Sequence, residues 1–236
     1  MLARMKGGSV AAALAVAALT GPGQLAAQTS NEQEIDNLPA RDDASTEKLL
    51  KDSERDRAAS QANGKVSRVA LEELARCLAR KNPNEAGRVL AMDFTTPTYS
   101  RALRMLSEED KSCIQFRGAL RAGNLLFAGE LAEALVEQRG EPVATALAKA
   151  AAAPATTAFS STDRVAICVV RSVPGDVAQL LATERNSVAE TTAVQALATP
   201  MGLCAQATEA KKPLSINPAG LRAMLATAAF RSVKDI

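Results

Sequence analysis

Apolar residues recur at helical spacing from Val66 onward. Val66, Ala70, Leu74, Cys77 and Leu78 share one face, and Val69 and Leu71 widen it. Asn82-Pro83 follows, a pair suited to an N-cap and a first helical position, and Ala86, Val89 and Leu90 predict a short second helix. Phe94-Thr95-Thr96-Pro97 reads as a connector. Tyr99, Leu103 and Leu106 mark a third helix that runs into the charged stretch Glu108–Lys111 before Cys113. A further helix, in one piece or two, holds Leu120, Leu125, Phe127, Leu131 and Leu135, and Gly140 closes this first series. Strand-like runs are sparse: Cys113–Phe116 and Val165–Val170, the second inside a helical period. The expected fold class is all-α.

The same order of signals then returns. Val143, Ala146, Leu147 and Ala150 form an alanine-rich connecting helix, and Ala155–Ser161 a joint. Val165, Cys168 and Val169 open a second series. Val173-Pro174-Gly175-Asp176 is its turn, Val177, Leu180 and Leu181 its second helix, Val194 and Leu197 its third. Asn217-Pro218 caps the last helix, with Leu221, Met224, Leu225 and Ala228 inward.

An offset of 91 aligns the two series. Both cysteine pairs fall into register, with identities at Ala75/Ala166, Arg80/Arg171, Pro83/Pro174, Leu90/Leu181, Ala91/Ala182, Ala102/Ala193 and Leu106/Leu197. In the last helix the offset becomes 90, pairing Leu131 with Leu221 and Leu135 with Leu225. The expected architecture is therefore two tandem helical repeat units of about 70 residues, 66–140 and 162–236, joined by a connecting helix and linker over 141–161.

What precedes residue 66 has a different composition. Arg4 and Lys6, the apolar run Val10–Leu19, the breaker Thr20–Gly23 and the small residues Leu25-Ala26-Ala27 predict a signal peptide over 1–27, cleaved after Ala27. Ten apolar residues are about half of what a bilayer span needs, so no transmembrane segment is expected in the mature chain. Residues 28–65 hold only nine apolar residues against 15 charged ones. That stretch is expected to be disordered or polar-helical, because it buries too little surface to offset its ordering entropy.

Export changes the meaning of the cysteines and of the charge. An even number of cysteines in an oxidising compartment implies disulfides. Four allow three pairings, and the internal offset selects Cys77–Cys113 and Cys168–Cys204, one bridge closing each unit. The precursor carries 28 basic and 26 acidic residues; losing Arg4 and Lys6 with the leader leaves a formally neutral chain. A neutral chain lacks the field that gathers phosphate backbones, so nucleic acid is not an expected partner. The expected location is the periplasm or outside the cell.

Candidate chemistry is thin. With no histidine and no short C-x-x-C spacing, neither a structural zinc centre nor another cofactor is expected. Ser112 and Lys111 are adjacent rather than at the helical spacing a serine–lysine pair would need. Glu72/Glu73, Glu108/Glu109 and Glu130/Glu133 lie among arginines and lysines, which predicts surface ion pairs rather than an acid–base pair. No catalytic residue is expected.

Aromatic residues give one asymmetry. Phe94, Tyr99, Phe116 and Phe127 fall in the first unit, and only Phe159 and Phe230 beyond it. Tyr99, Phe94 and Phe116 are the candidate partner-binding residues, with the Tyr99 hydroxyl expected at a surface. The expected function is an exported, non-catalytic interaction module, an adaptor for an envelope or secreted protein. The alternative is a carrier that holds a small apolar ligand between its helices. A third reading is an enzyme of unrecognised type.

Overall fold

The structure is a computed structural model that describes residues 67–114, 122–210 and 216–233, together with Lys51 and Gly64. The chain divides into two compact units, Met1–Leu49 and Leu50–Ile236, and every described residue belongs to the second. The predicted signal peptide and nearly all of the polar segment 28–65 lie outside the described residues.

Every regular element among the described residues is helical. Residues 67–81 form helix α1. It is followed by α2 (Pro83–Leu90), α3 (Pro97–Glu109), a single 3-10 turn (Lys111–Cys113) and α4 (Asn124–Glu137). The chain continues through α5 (Val143–Ala152), α6 (Ser161–Ser172), α7 (Pro174–Leu181), α8 (Val188–Ala196), α9 (Ala198–Ala207) and α10 (Pro218–Val233). None of these helices is long and apolar enough to cross a membrane.

Local signals set many of the boundaries. Pro83 and Pro174 stand in the first turns of α2 and α7, where a missing N–H leaves no bond unmade. Asn82 occupies the N-cap position of α2 without a side-chain bond, whereas Asn217 caps α10 by accepting from the Gly220 N–H at 2.8 Å. Ser160 and Ser187 cap α6 and α8 in the same way. The third helix of the second series is two helices, α8 and α9, with a break at Leu197. Pro200 explains it: without an N–H it cannot extend the α8 ladder, but it fits the first turn of a new helix. Cys204 consequently lies within a helix, whereas Cys113 sits on a 3-10 turn.

Both expected disulfides are present. Cys77–Cys113 and Cys168–Cys204 each span 36 positions, with Cα atoms 5.5 and 5.7 Å apart. The first joins α1 to the 3-10 turn, and the second joins α6 to α9.

Helices α4 and α10 form the centre, and α10 packs more extensively on α4 than on any other element described. α4 is buried continuously from Phe127 to Val136, and α10 is buried on nearly all sides from Gly220 to Val233. Their backbones meet at Gly129. A Cβ there would lie 2.4 Å from both Cα and Cβ of Ala223, so only glycine permits this approach. α6 and α5 pack against α10, α7 packs against α5, and α9 covers α6. Arg171 of α6 donates to the carbonyls of Ala150 (2.9 Å) and Ala153 (2.8 Å), which closes the C-terminal end of α5.

Candidate functional site

The loop between α2 and α3 is fixed before it presents anything. The Asp93 carboxylate accepts from the Thr95 N–H (2.9 Å) and hydroxyl (2.7 Å), and the Thr96 hydroxyl caps α3 by accepting from the Tyr99 N–H at 3.3 Å. This brings Phe94 edge-on to Tyr99, with ring centroids 6.5 Å apart, and edge-on to Phe159 from the α5–α6 connector at 5.8 Å. The Arg231 guanidinium of α10 lies 4.9 Å from the Phe159 ring and 5.8 Å from the Phe94 ring.

A cleft of about 440 Å³ opens beside this cluster, at the meeting of α2, α3, α4, α6 and α10. Leu90, Phe94, Tyr99, Leu125, Ala128 and Met224 supply its apolar walls. Asn124, Thr162 and Thr227 contribute neutral polar groups, and its charged wall is the pair Arg231–Asp163, 4% and 3% exposed. Arg231 donates to Asp163 and to the Thr157 carbonyl (3.1 Å), and Asp163 also accepts from the Phe159 N–H at 2.8 Å. The volume is in the range of small-ligand sites.

Two of the three sequence candidates meet here. Phe94 is half-buried. Tyr99 is not a surface residue: it is 5% exposed, turned inward by the Thr96 cap and α3 packing, and burial pushes its hydroxyl up to about 12. Phe116 lies outside the described residues. The other contributors, Arg231, Asp163 and Phe159, come from beyond residue 140; Phe159 was visible in sequence only as an isolated aromatic.

Glu130 and Glu133 are the clearest departure from expectation. They are not surface pairs but 8% and 2% exposed, facing arginines from elements distant in sequence. Arg222 of α10, 1% exposed, donates to Glu133 through both Nε (3.1 Å) and Nη2, and to Glu190 at 3.2 Å. It also donates to the Leu181 carbonyl at 2.9 Å and to the Thr183 carbonyl and hydroxyl at 3.0 Å. Arg185 reaches Glu130 (2.7 Å), Glu72 (3.0 Å) and Glu133 (3.1 Å). Arg68 closes the chain of charges on Glu190 with two bonds of 2.8 and 2.9 Å. The turn that delivers Arg185 has Asn186 at φ 61°, a left-handed conformation asparagine tolerates, and the Asn186 N–H binds Glu190 at 2.7 Å.

Burial is the largest influence on Glu130 and Glu133 and raises both carboxyls, against the pull of Arg185 and Arg222. On Arg222 and Arg185 burial pulls down, but the surrounding carboxylates outweigh it and both guanidiniums are raised. On Glu190 burial pulls upward, and the bonds from Arg68 and the Asn186 N–H together overcome it, holding the carboxyl down at about 2. The signs differ, and so do their consequences. A carboxyl held low in the fold adds stability that is lost as pH falls from the unfolded value, about 4.3, through about 2. A carboxyl held high gains stability as pH falls from above the ordinary carboxylate range to that range. The unfolding free energy is therefore expected to rise as pH falls toward the ordinary carboxylate range, through Glu130 and Glu133, and to fall below about pH 4. Glu190→Gln should flatten the fall below pH 4; an unchanged acid limb in that variant would contradict the assignment.

Ser112 does have a lysine neighbour, Lys81 rather than Lys111. Lys81 donates to the Ser112 hydroxyl and pairs with Asp110 at 2.9 Å. Its side chain is 47% exposed, so this is a surface ion pair, not the desolvated lysine a serine nucleophile requires. No group of metal-ligating side chains occurs among the described residues. No protein-family model matches the chain, and neither a curated protein nor a solved structure shows significant similarity to it.

Proposed function

We propose that this is an exported, non-catalytic helical protein that carries a small apolar ligand in the cleft lined by Phe94 and Tyr99. The observation that carries this reading is the convergence of those aromatics on one cavity of about 440 Å³ between five helices. The inward position of Tyr99 favours a ligand held among helices over a partner docked on a face. The buried carboxylates Glu130 and Glu133 are engaged by arginine, which fits structural work better than acid–base catalysis. Two disulfides suit a protein matured in the periplasm or outside the cell, behind a leader that ends at Ala27.

The scaffold is, on this proposal, a tandem duplication of units 66–140 and 162–236. Equal disulfide spacing and equal eight-residue helices α2 and α7, each opened by proline, support it. So does a second cavity, about 610 Å³, lined by Leu71, Leu126, Asn186, Glu190 and Thr191. Under offsets of 91 and 90 these positions answer to Thr162, Ile216, Thr95, Tyr99 and Ser100, three of which line the aromatic cleft. Glu190 then stands where the other cleft has Tyr99.

Protein isolated from its native source should release an apolar compound on organic extraction, and adding it back should raise the melting temperature. Ligand at a hundredfold excess over its Kd stabilises by about 2.7 kcal/mol. Finding no extractable compound and no thermal shift with a panel of lipids would remove the carrier reading. An adaptor remains the second reading, favoured by the exposed apolar side chains Met105 (63%), Leu203 (62%) and Val188 (84%). It would gain if an envelope protein were retained by the mature chain and lost on deleting residues 28–65.

A further inference from the structure

We propose that the aromatic cleft selects an uncharged ligand, an apolar body bearing a hydrogen-bond acceptor such as an ester or amide carbonyl, with Tyr99 as the donor that receives it. The inference rests on the carrier reading and specifies its ligand class.

The first ground is an unfilled donor. Tyr99 is 5% exposed, and its hydroxyl has no hydrogen-bond partner among the described residues. No fully buried side-chain nitrogen or oxygen among the described residues is left without a partner, so the small exposure that Tyr99 keeps includes its hydroxyl. Tyr99 lines the cleft, and the cleft is the space into which that hydroxyl opens. A ligand that expels water from the cleft removes that hydroxyl's remaining partner, and an acceptor on the ligand avoids the cost of leaving the donor unpaired. Burial raises the hydroxyl to about 12, so it holds its proton at neutral pH and donates.

The second ground is charge balance. Among the described residues, the only acidic or basic side chains on the cleft wall, Arg231 and Asp163, are paired with each other. Arg231 is further engaged by the Thr157 carbonyl and two aromatic rings, and Asp163 by the Phe159 N–H. A ligand carboxylate would have to displace Asp163 from Arg231 or lie beside it unpaired. An alkylammonium would face the same conflict with Arg231. Either would leave a charge buried without compensation. Leu90, Leu125, Ala128, Ile216 and Met224 give an aliphatic lining that suits an alkyl body, beside the neutral polar side chains of Asn124, Thr162 and Thr227.

The test is competition against a neutral naphthylamine dye bound to the mature protein. The competitors are ethyl decanoate, decanoate, decylamine and decane, assayed on the wild type, Tyr99→Phe and Thr227→Leu. Ethyl decanoate should displace the dye at least about 10-fold more tightly than either charged analogue. Tyr99→Phe keeps the ring and should weaken the ester by about 3- to 10-fold while leaving decane unchanged. Thr227→Leu, which fills the cleft from α10, should weaken dye and ester alike. Equal or tighter binding of decanoate would overturn the proposal. So would a Tyr99→Phe variant that binds the ester as well as wild type, or that loses ester and decane equally. If the dye fails to bind the wild type, or binds Thr227→Leu unchanged, the carrier reading itself falls. Circular dichroism melts establish that each variant is folded.

Discussion

Arg222→Met is expected to destabilise the protein by about 3–5 kcal/mol, read from the midpoint of urea unfolding. The aliphatic stem is retained, so little packing is lost. What disappears is a guanidinium 1% exposed that serves Glu133, Glu190 and the carbonyls of Leu181 and Thr183. Removing one partner of a buried pair costs far more than the pair contributes, because the other charge stays inside. Arg185 still touches Glu133 at 3.1 Å and Arg68 still holds Glu190, which limits the loss to this range rather than abolishing the fold. The second variant separates the causes. Arg222→Met with Glu133→Leu should lose less than the sum of the two single changes, since the uncompensated carboxylate goes too. A cost below about 1 kcal/mol for Arg222→Met would mean the network is decoration on a core that α4 and α10 hold by packing alone.

The network also marks where sequence reading stops and why. The disulfides and most helices are legible from local information: spacing, apolar period, proline and glycine punctuation. Cys77, Cys113, Cys168 and Cys204 pair as their equal separations imply, and Pro83, Pro174 and Pro218 stand at helix starts. Glu130 and Glu133 mislead, because three-residue spacing beside arginines describes an exposed helix face as well as a buried one. Their partners, Arg185 and Arg222, lie 55 and 89 positions along the chain, beyond any local window. One signal was available. The two glutamates interrupt Leu125–Val136, a helix otherwise apolar or small on every side, and such a helix is buried. A charge inside it has to be paired, although its partner stays unnamed.

The aromatic cleft has the same character. Phe94 and Tyr99 stand out by composition, but the feature that turns them into a site is Arg231–Asp163, assembled from the last helix and α6. In sequence, Arg231 is one of many arginines. Its role follows from α10 running through the middle of the structure, where a guanidinium cannot remain unpaired. The burial of the Tyr99 ring has a related reason: the apolar residues Leu103 and Leu106 turn α3 inward, and Tyr99 lies one helical turn before Leu103 on that same face.

Removing the disulfides should produce the other large effect. Each bridge closes a loop of equal length, so Cys77→Ala/Cys113→Ala and Cys168→Ala/Cys204→Ala start from the same loop-entropy loss, about 3–4 kcal/mol. The surroundings break the tie. α9 packs along α6, so those helices remain joined when Cys168–Cys204 is gone. The 3-10 turn carrying Cys113 is backed by Lys81, which pairs with Asp110 at 2.9 Å in a surface contact that solvent screens. The Cys77/Cys113 variant should therefore be the less stable of the two in urea. Its amides over 98–113 should exchange with solvent faster than in wild type, while those of α6 and α9 stay protected. The opposite ranking would place the greater constraint in the second bridge and undo the argument from packing. Losses below about 1 kcal/mol for both variants would show that the helices hold their places without sulfur, leaving the bridges as marks of compartment rather than supports of the fold.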